Sequence, residues 1–419
     1  MWMDTKPEVK GANRRQTNTI QHVLNGLLLF TGDMRHLDKY MQDKLFVLQL
    51  AVGALRGVTM VILANNPLSG ALILIALYWT SPWMSLLGAL GVLASMLTAL
   101  IIGQDSAEVT AGVHGYNGML VALLMGALSS AGDWYWWLLV PACLGSATCV
   151  FLYSSLSSVL DRWDLPVSVF PFNTVIILYL LCTGPNNPYF PHYPSLPPGT
   201  LDPNDTDLVP AEVMRGVVLG VGQIYACEEL GPSFLILGAV LLYSPLLLLH
   251  ALLGSAIGIL AGLSMAVRHE CLYSGLLGFN GALGCMSIGG LCFIFNWRTH
   301  LLAIACAFFS SYVDIALGNL LGTVSTRWSS RGFFGDVSHV FAVFFSAMNS
   351  VPLLPQVGLS ASSWASTIII TLMLLLTGSL ATYRIPSDQV MAPEHNRSFR
   401  LSWKSGKVTE VESTDVGCG

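Results

Sequence analysis

The chain contains few residue patterns that could carry covalent chemistry. Its 9 cysteines are scattered, mostly inside apolar runs and without a Cys-x-x-Cys pair, which is typical of small buried side chains. Neither a His-Glu-x-x-His zinc motif nor a Gly-x-Ser-x-Gly nucleophile elbow occurs in the sequence. We therefore predict a protein that is not an enzyme and that binds no metal and no cofactor.

The polar residues within the apolar part of the chain are mostly neutral Asn, Gln, Ser and Thr, as at Asn65-Asn66 and Gln223. Paired carboxylates, which an ion-coupled carrier needs inside the membrane, are not evident in these runs. Neutral side-chain oxygens can replace water around an uncharged polar solute without holding an ion. The pattern therefore disfavours an ion-coupled carrier.

The composition indicates which elements position these residues. Of the 419 residues, 53% are hydrophobic and only 10% are charged, whereas a soluble chain carries about 25% charged residues. So few charges cannot cover the surface of a water-soluble protein of this length. We predict an all-α polytopic membrane protein, and the composition excludes a nucleic-acid binder, a soluble enzyme and a disulfide scaffold.

The basic residues are concentrated at the two ends of the chain. Seven Lys and Arg precede residue 45 and five follow residue 383, whereas the stretch 183–212 has none. The positive-inside rule then predicts a cytosolic segment 1–40, an extracellular loop 186–212 and a cytosolic tail 384–419. The loop also contains an N-glycosylation sequon at Asn204, whereas we interpret the sequon at Asn396 in the tail as a chance match.

An internal repeat organises the chain. The run Gly112–Leu120, with Gly115-Tyr116-Asn117 inside it, recurs as Gly275–Leu283, and the offset of 163 residues also relates Ser81-Pro82 to Ser244-Pro245. We predict two homologous membrane repeats, at 41–185 and 213–383. With both ends inside and the middle loop outside, each repeat crosses the membrane an odd number of times, so the two are inverted. Inverted repeats place a substrate path at their interface.

Apolar runs in the first repeat predict its helices. They lie near 44–55, 70–79, 83–103, 118–130, 135–158 and 170–183. The segment 56–70 contains Asn65-Asn66-Pro67 and is too polar to face lipid, so we predict a re-entrant half-helix there and another at 219–233. Each repeat then has about five transmembrane helices and one re-entrant half-helix.

Several ordered motifs give the chain a resemblance to the urea transporter family, over about residues 25–400. They are Asn65–Gly70, His114–Gly118, Trp163–Pro166 with Pro171–Asn173, Gly278–Asn280, and Pro393-Glu394 with Asn396-Arg397. The resemblance implies a pore through each protomer of a homotrimer in the plasma membrane. It also implies that urea passes down its gradient without coupling to ions or ATP.

The same resemblance implies which residues line the pore. Aromatic and aliphatic walls of a narrow slot match Tyr116, Leu120, Phe279 and Leu283, and an amide oxygen facing urea matches Gln223. The family's box Leu-Pro-x-x-Thr-x-Pro-Phe, whose Thr lies at the narrowest point, matches 165–172 with Val169 at the Thr position. The second box matches 359–366, with Ser363 at that position.

This sequence departs from the family pattern at several positions. Met60 stands where the family has Gln, with Thr59 or a backbone carbonyl as the substitute acceptor, and Leu63 stands where an aromatic residue is usual. The two boxes are 194 residues apart instead of 163, which indicates an insertion of about 31 residues. We place this insert near 325–356, as a peripheral or re-entrant element.

Two alternatives remain from the sequence. Met60 and Val169 are compatible with a passive channel for another small neutral solute, such as ammonia, water or a short amide. An ammonium channel uses a pair of pore histidines, but His114 corresponds to Leu277 in the second repeat. The second alternative is a family member that does not conduct and acts as a partner subunit.

Overall fold

The computed structural model describes residues 30–184, 187–193, 197–201, 207–322, 362–376 and 383–396. The predicted insert near 325–356 and the sequon at Asn204 lie outside these residues. The described part is helical, with two isolated β-bridges, Ser129 to His192 and Phe293 to Arg384. The prediction of an all-α fold is confirmed.

The helices of the first half follow one another through short connections. They are α1 (Arg35–Met41), α2 (Phe46–Met60), α3 (Pro67–Thr80), α4 (Pro82–Ile101), α5 (Ser106–Thr110), α6 (Tyr116–Leu128), α7 (Leu139–Leu160) and α8 (Phe170–Thr183). Short 3₁₀ turns extend α7 at both ends, so that its apolar span runs over Trp136–Trp163.

The helices of the second half repeat this order. They are α9 (Pro210–Gly222), α10 (Leu230–Tyr243), α11 (Pro245–Ser264), α12 (His269–Tyr273), α13 (Gly278–Met286), α14 (Trp297–Gly322) and α15 (Trp364–Leu374). The helices α10, α11 and α12 begin and end 163 residues after α3, α4 and α5. The offset found in the motifs is therefore also an offset of the helix boundaries.

Matching caps explain why these helices begin where they do. The side chains of Ser81 and Ser244 accept hydrogen bonds from the backbone nitrogens of Met84 (3.3 Å) and Leu247 (3.0 Å), and a proline follows each serine. Such a cap satisfies an N–H group that the helix leaves unpaired, and proline fits the first helical position because it has no N–H. The Ser-Pro pairs thus fix the starts of α4 and α11.

The polar segment 56–70 is divided between the end of one helix, a break and the start of the next helix. The helix α2 ends at Met60 and α3 begins at Pro67, so the residues between them form a break in which Leu63 has a left-handed backbone (φ 61°). In the second half, Ala226 (φ 55°) occupies the equivalent break, and the helices on either side of it are bent by 74°. Asn66 caps a new helix instead of continuing the old one, so the segment is not one continuous helix, and its re-entrant course stays a prediction.

Four helices in the described residues are long and apolar enough to cross a membrane: α4, α7 with its flanking turns, α11 and α14. The bent pair α9 and α10 together passes the same test, and α2, α3, α6, α8 and α15 are shorter apolar helices. Leu144, Phe151 and Leu260 on the long helices expose more than half of their surface, as lipid-facing side chains do. The chain is a multi-pass membrane protein, as predicted.

Glycines allow the helices of each half to approach closely. Gly112 and Gly275 have left-handed backbones (φ 85° and 78°), and a Cβ atom on either would collide with the backbone nitrogen of Gly57 or Gly220. Only glycine fits a position that combines positive φ with this lack of space. The turn before each Gly-aromatic-Asn motif is therefore packed directly against a helix of the same half, α2 in the first half and α9 in the second.

The two halves contact each other through equivalent elements. Ser69 on α3 donates a hydrogen bond to the carbonyl oxygen of Ala239 on α10 (2.7 Å). Tyr225 donates to the carbonyl oxygen of Val58 (2.8 Å). At the starts of α8 and α15, the rings of Phe170 and Trp364, which are 194 residues apart, meet edge to face at 5.7 Å. The halves therefore share one buried interface.

Candidate permeation site

A cavity of about 610 Å³ lies between the two halves. Residues from both halves line it, and most of the residues singled out in the sequence are among them. These are Met60, Leu63, Asn65, Tyr116, Leu120, Val169, Gln223, Phe279, Leu283 and Ser363. The structure thus brings together residues that are separated by as many as 303 positions in the chain.

Asn66 and Thr59 are not among the residues that line this cavity. The side-chain oxygen of Asn66 caps α3 by accepting from the backbone nitrogens of Leu68 (2.9 Å) and Ser69 (3.1 Å). The hydroxyl of Thr59 is buried and donates to the carbonyl oxygen of Arg56 (2.9 Å). Thr59 therefore does not replace the amide oxygen that is missing at Met60, and Asn66 has a structural role.

Equivalent asparagines fix the two box segments. Asn117 donates to the carbonyl oxygen of Ser168 (3.1 Å) and accepts from the backbone nitrogen of Phe172 (3.1 Å). Asn280 makes the same two contacts, with Ser362 (3.0 Å) and Ser366 (3.2 Å). Both partners are displaced by 194 residues, as in the alignment of the two boxes from sequence.

The hydroxyl of Ser363 is held by the first half. Its Oγ and its backbone nitrogen both donate to the side-chain oxygen of Asn173, at 3.1 and 3.2 Å. The side-chain nitrogen of Asn173 lies 3.5 Å from Oγ1 of Thr367. Because its proton is engaged by Asn173, the Ser363 oxygen can only accept from a solute. At the equivalent position, Val169 has no polar atom in its side chain.

Gln223 and Met60 form a second unequal pair. The Gln223 side-chain nitrogen donates to the carbonyl oxygen of Ser274 (3.0 Å), which leaves the amide oxygen as the group available to accept. Met60 also lines the cavity, but its thioether sulfur is only a weak acceptor. The amide acceptor of the second half therefore has no equivalent at Met60.

The two aromatic residues of the motifs differ in one atom. The hydroxyl of Tyr116 donates to the carbonyl oxygen of Ser168 at 2.6 Å, and Phe279 has no hydroxyl. Tyr116 therefore contributes its ring to the cavity wall, while its proton stays within the protein. Both rings offer a flat apolar surface to a planar solute.

His114 is buried but is not one of the residues lining the cavity. Its Nε2 lies 3.2 Å from Oε2 of Glu108, and its ring packs edge-on against Tyr153 at 5.3 Å. The residues that line the cavity in the described part of the chain include no histidine. This arrangement does not provide the pair of pore histidines that an ammonium channel uses.

The charged residues that line the cavity belong mostly to segments near the two ends of the chain. Arg56 donates to the side-chain oxygen of Asn65 (3.2 Å) and to the backbone of Asp33 (3.4 Å). Arg384, after the last described helix, lies 3.2 Å from the carboxylate of Asp164. The lining contains two arginines and, with Asp33 and Asp164, two aspartates, so its formal charges balance.

Asp164 also holds the chain after Arg384. Its Oδ1 accepts from the hydroxyl (2.6 Å) and the backbone nitrogen (2.9 Å) of Ser387. Partial burial raises the pKa of Asp164, but the hydrogen bonds from Ser387 and the charge of Arg384 lower it further, so the net pKa lies below its ordinary value. The segment 383–396 is therefore anchored beside the cavity.

Sequence reasoning missed several cavity residues. Ser287 and Ser366 line the cavity, and so do Ser387, Val390 and Met391 of the segment 383–396. The two serines were detectable, because they are the counterparts of Leu124 and Phe172 at offsets of 163 and 194. The contacts that bring the segment 383–396 to the cavity could not be predicted from a local sequence pattern, because they join residues more than 200 positions apart.

Asn396 is buried, with 2% of its surface exposed, and its side-chain nitrogen donates to the carbonyl oxygens of Met391 (2.8 Å) and Gly290 (2.9 Å). A glycan on this nitrogen would replace one of the donating hydrogens and would need space that the buried side chain does not have. The structure therefore agrees with the interpretation of this sequon as a chance match.

The fold and the cavity define a class: a multi-pass membrane protein that encloses a cavity lined by aromatic rings and neutral acceptors.

Comparison with known proteins gives the family. The family model described as "Urea transporter" matches residues 51–334. Urea transporter 1 of Capra hircus is 41% identical over 374 residues, which cover 88% of each chain. Urea transporter 1 of Mus musculus is 40% identical over 381 residues, which cover 90% of each chain.

The chain belongs to the urea transporter family, as the motifs predict. Members of this family are transporters and not enzymes, so the prediction of a protein without enzymatic activity is confirmed.

Proposed function

We propose that the chain carries urea passively across the membrane, through the cavity between its two halves. Tyr116 and Phe279 would contact the faces of the planar molecule, and the oxygens of Gln223 and Ser363 would accept from its N–H groups. The observation that carries this proposal is the convergence of residues from both halves on one cavity, with the hydroxyl proton of Ser363 and one N–H of Gln223 engaged inside the protein.

The chemistry of urea fits such a cavity. Urea is neutral and flat, with N–H donors and a carbonyl acceptor, and its passage through lipid is limited by the cost of leaving water. Acceptors that are already oriented replace the lost water without bringing in a charge. Because urea does not change its charge in transit, neither an ion gradient nor ATP is needed to carry it down its own gradient.

The contacts at the helix ends support inverted repeats. The start of α4 packs near the turn before α7, where Trp83 lies 5.5 Å from Trp134, and that turn pairs with the loop at 187–193. The start of α11 instead contacts Glu394 in the segment 383–396 (2.8 Å to Ser244). The end of α11 lies by the loop at 197–201, where Leu201 bonds to Ala266. We propose that α4 and α11 run in opposite directions.

Residues near the two ends of the chain contact each other, which supports the location of both termini on the same side of the membrane. The backbone nitrogen of Ala392 donates to Asp33 (3.4 Å), and the space beside Gly32 is filled by His395. With the basic residues at the two ends, this contact supports termini on the cytosolic face of the plasma membrane. Labelling of single cysteines placed at positions 5 and 410 in intact cells tests it, since labelling by an impermeant reagent would contradict a cytosolic location.

Two further features rest on the resemblance and the sequon alone. We propose a homotrimer, which native mass spectrometry tests by the mass of three chains. We also propose a glycan at Asn204, which is tested by the loss of an endoglycosidase-sensitive shift in Asn204→Gln. A monomer in mild detergent would contradict the homotrimer. An endoglycosidase-sensitive shift that persists in Asn204→Gln would contradict the glycan at Asn204.

Stopped-flow light scattering on proteoliposomes tests the proposed function. We expect urea permeability well above that of empty vesicles, and we expect Val169→Phe to remove most of it by filling the position that the resemblance places at the narrowest point. Val159→Phe is the matched control, because Val159 is 48% exposed on α7 and does not line the cavity. Urea permeability equal to that of empty vesicles would overturn the proposal.

A further inference from the structure

The cavity wall is chemically unequal when equivalent positions are compared. In four pairs the residue of the first half is apolar and the residue of the second half is polar, and all eight residues line the cavity. The pairs are Met60 with Gln223 and Leu124 with Ser287, at an offset of 163, and Val169 with Ser363 and Phe172 with Ser366, at an offset of 194.

The polar members all present an acceptor. Ser287 donates to the carbonyl oxygen of Leu283 (2.8 Å), and Ser366 donates to that of Ser363 (3.1 Å). One N–H of Gln223 is engaged by Ser274, and the hydroxyl proton of Ser363 is engaged by Asn173, as described above. The hydroxyl and amide oxygens of this wall keep lone pairs for N–H donors of a solute.

One pair runs the other way, because Tyr116 of the first half matches Phe279 of the second. The Tyr116 hydroxyl donates its proton to the carbonyl oxygen of Ser168 at 2.6 Å, so its oxygen keeps a lone pair and is an acceptor of the first half. This pair reduces the difference between the two halves but leaves four polar positions in the second half against one in the first.

We propose that the cavity orients its permeant, with the N–H edge towards Gln223 and Ser363 and the opposite edge towards Met60 and Val169. The permeants that it favours are small planar amides with one alkyl edge, such as N-methylurea and acetamide, relative to urea. Met60 and Val169 are then the residues that determine this specificity. The inference rests on the proposed transport function and adds the substrate class to it.

The physical reason is the mismatch between urea and the apolar wall. Urea has N–H groups on two edges, so one set would lose water against Met60 and Val169 without gaining an acceptor, which is costly. An alkyl group on that edge replaces one of the unpaired N–H donors in N-methylurea and both in acetamide, and it buries a methyl group instead. One buried methyl or methylene group changes an equilibrium about fourfold.

The test measures the ratio of N-methylurea to urea permeability in proteoliposomes containing the full chain. We expect Val169→Thr, which keeps the side-chain shape and replaces a methyl group with a hydroxyl, to lower this ratio about fourfold. Ser363→Val is expected to raise it by a similar factor. Val159→Thr is the matched control for the first change and should leave the ratio as in the original protein.

The outcomes separate this inference from the proposed function. If urea passes but neither Val169→Thr nor Ser363→Val changes the ratio of N-methylurea to urea permeability, the orientation is overturned and urea transport stands. The same holds if each substitution moves this ratio in the direction opposite to the one expected. Flux of N-methylurea and acetamide without urea flux would support the orientation and overturn urea as the permeant. Vesicles that pass none of the three solutes faster than empty ones would overturn both.

Discussion

In both halves of the cavity wall an asparagine side chain holds the backbone by the same hydrogen bonds, but the side chains that line the cavity differ. Asn117 and Asn280 hold their box segments by the same pair of hydrogen bonds, with lengths between 3.0 and 3.2 Å. The first half nevertheless places Met60 and Val169 at the positions where the second half has Gln223 and Ser363. The framework is repeated, whereas the chemistry of its lining is not.

This difference indicates which residues are constrained by the fold. Asn117, Asn280, Gly112 and Gly275 satisfy buried backbone groups or allow close packing, so substitutions there disturb the structure of either half. A side chain that faces a cavity packs against less protein, so it can change with a smaller loss of stability. The comparison therefore separates residues that shape the cavity from residues that line it.

The largest expected effect follows from removal of an asparagine clamp. Asn280→Leu leaves the carbonyl oxygen of Ser362 and the N–H of Ser366 without their partner, at a cost of about 2–4 kcal/mol. Asn117→Leu removes the equivalent bonds to Ser168 and Phe172 and should cost the same. Thermal unfolding of the purified protein in detergent measures both changes.

The near-isosteric variant Asn117→Asp controls for shape. It keeps the acceptor for Phe172 and loses the donor to Ser168, so its unfolding temperature should lie between those of the original protein and Asn117→Leu. Equal stability of Asn280→Leu and the original protein would show that the clamp is not needed, and a large effect in only one half would contradict the equivalence of the two frameworks.

A smaller effect is expected from exchanging the lining side chains at the break between helices. Gln223→Met makes the second half resemble the first and should lower urea permeability about fivefold, since one neutral hydrogen bond contributes about 1 kcal/mol. Met60→Gln should raise it. Permeability per reconstituted protomer measures both, and a rise with Gln223→Met or a fall with Met60→Gln would contradict the assigned polarity of the wall.

The smallest effect concerns the anchoring of the segment 383–396. Because the pKa of folded Asp164 is lowered, its contribution to stability is present above the ordinary aspartate pKa of about 3.9 and is lost as the pH falls through the lower, folded pKa. Asp164→Asn should therefore lower the unfolding temperature at neutral pH by about 2 °C, and the difference should shrink below about pH 4. Asp43→Asn changes an exposed aspartate and serves as the control.

The original protein and Asp164→Asn should therefore differ less in unfolding temperature at low pH. If this difference stays constant down to the lowest pH, the role of the carboxylate is contradicted. The equivalent anchor on the second half, Glu394 at the start of α11, accepts from Ser244 (2.8 Å) and Leu246 (3.1 Å). Glu394→Gln should likewise have only a small effect, because the amide oxygen can still accept.

Much of the framework was predictable from local patterns. The Ser-Pro caps, the Gly-aromatic-Asn motifs and their common offset are readable because each depends on residues that are adjacent in sequence. The family, the helical fold and the membrane location followed from them and from the composition, and all three are confirmed.

The remainder depends on contacts between distant residues. The cap at Asn66 turns the polar segment into a break between helices, which composition alone did not distinguish from a half-helix. Asn173 contacts Ser363 across 190 positions, so its control of that hydroxyl was invisible in either box. The segment 383–396 likewise reaches the cavity only through tertiary hydrogen bonds.

The most direct test of the central claim is urea permeability of Val169→Thr and Ser363→Val, measured beside the original protein in vesicles of the same composition. If urea passes between the two halves and the second half supplies the acceptors, Val169→Thr raises the permeability and Ser363→Val lowers it about fivefold. Urea permeability that does not exceed that of empty vesicles, or that neither substitution changes, would contradict the account.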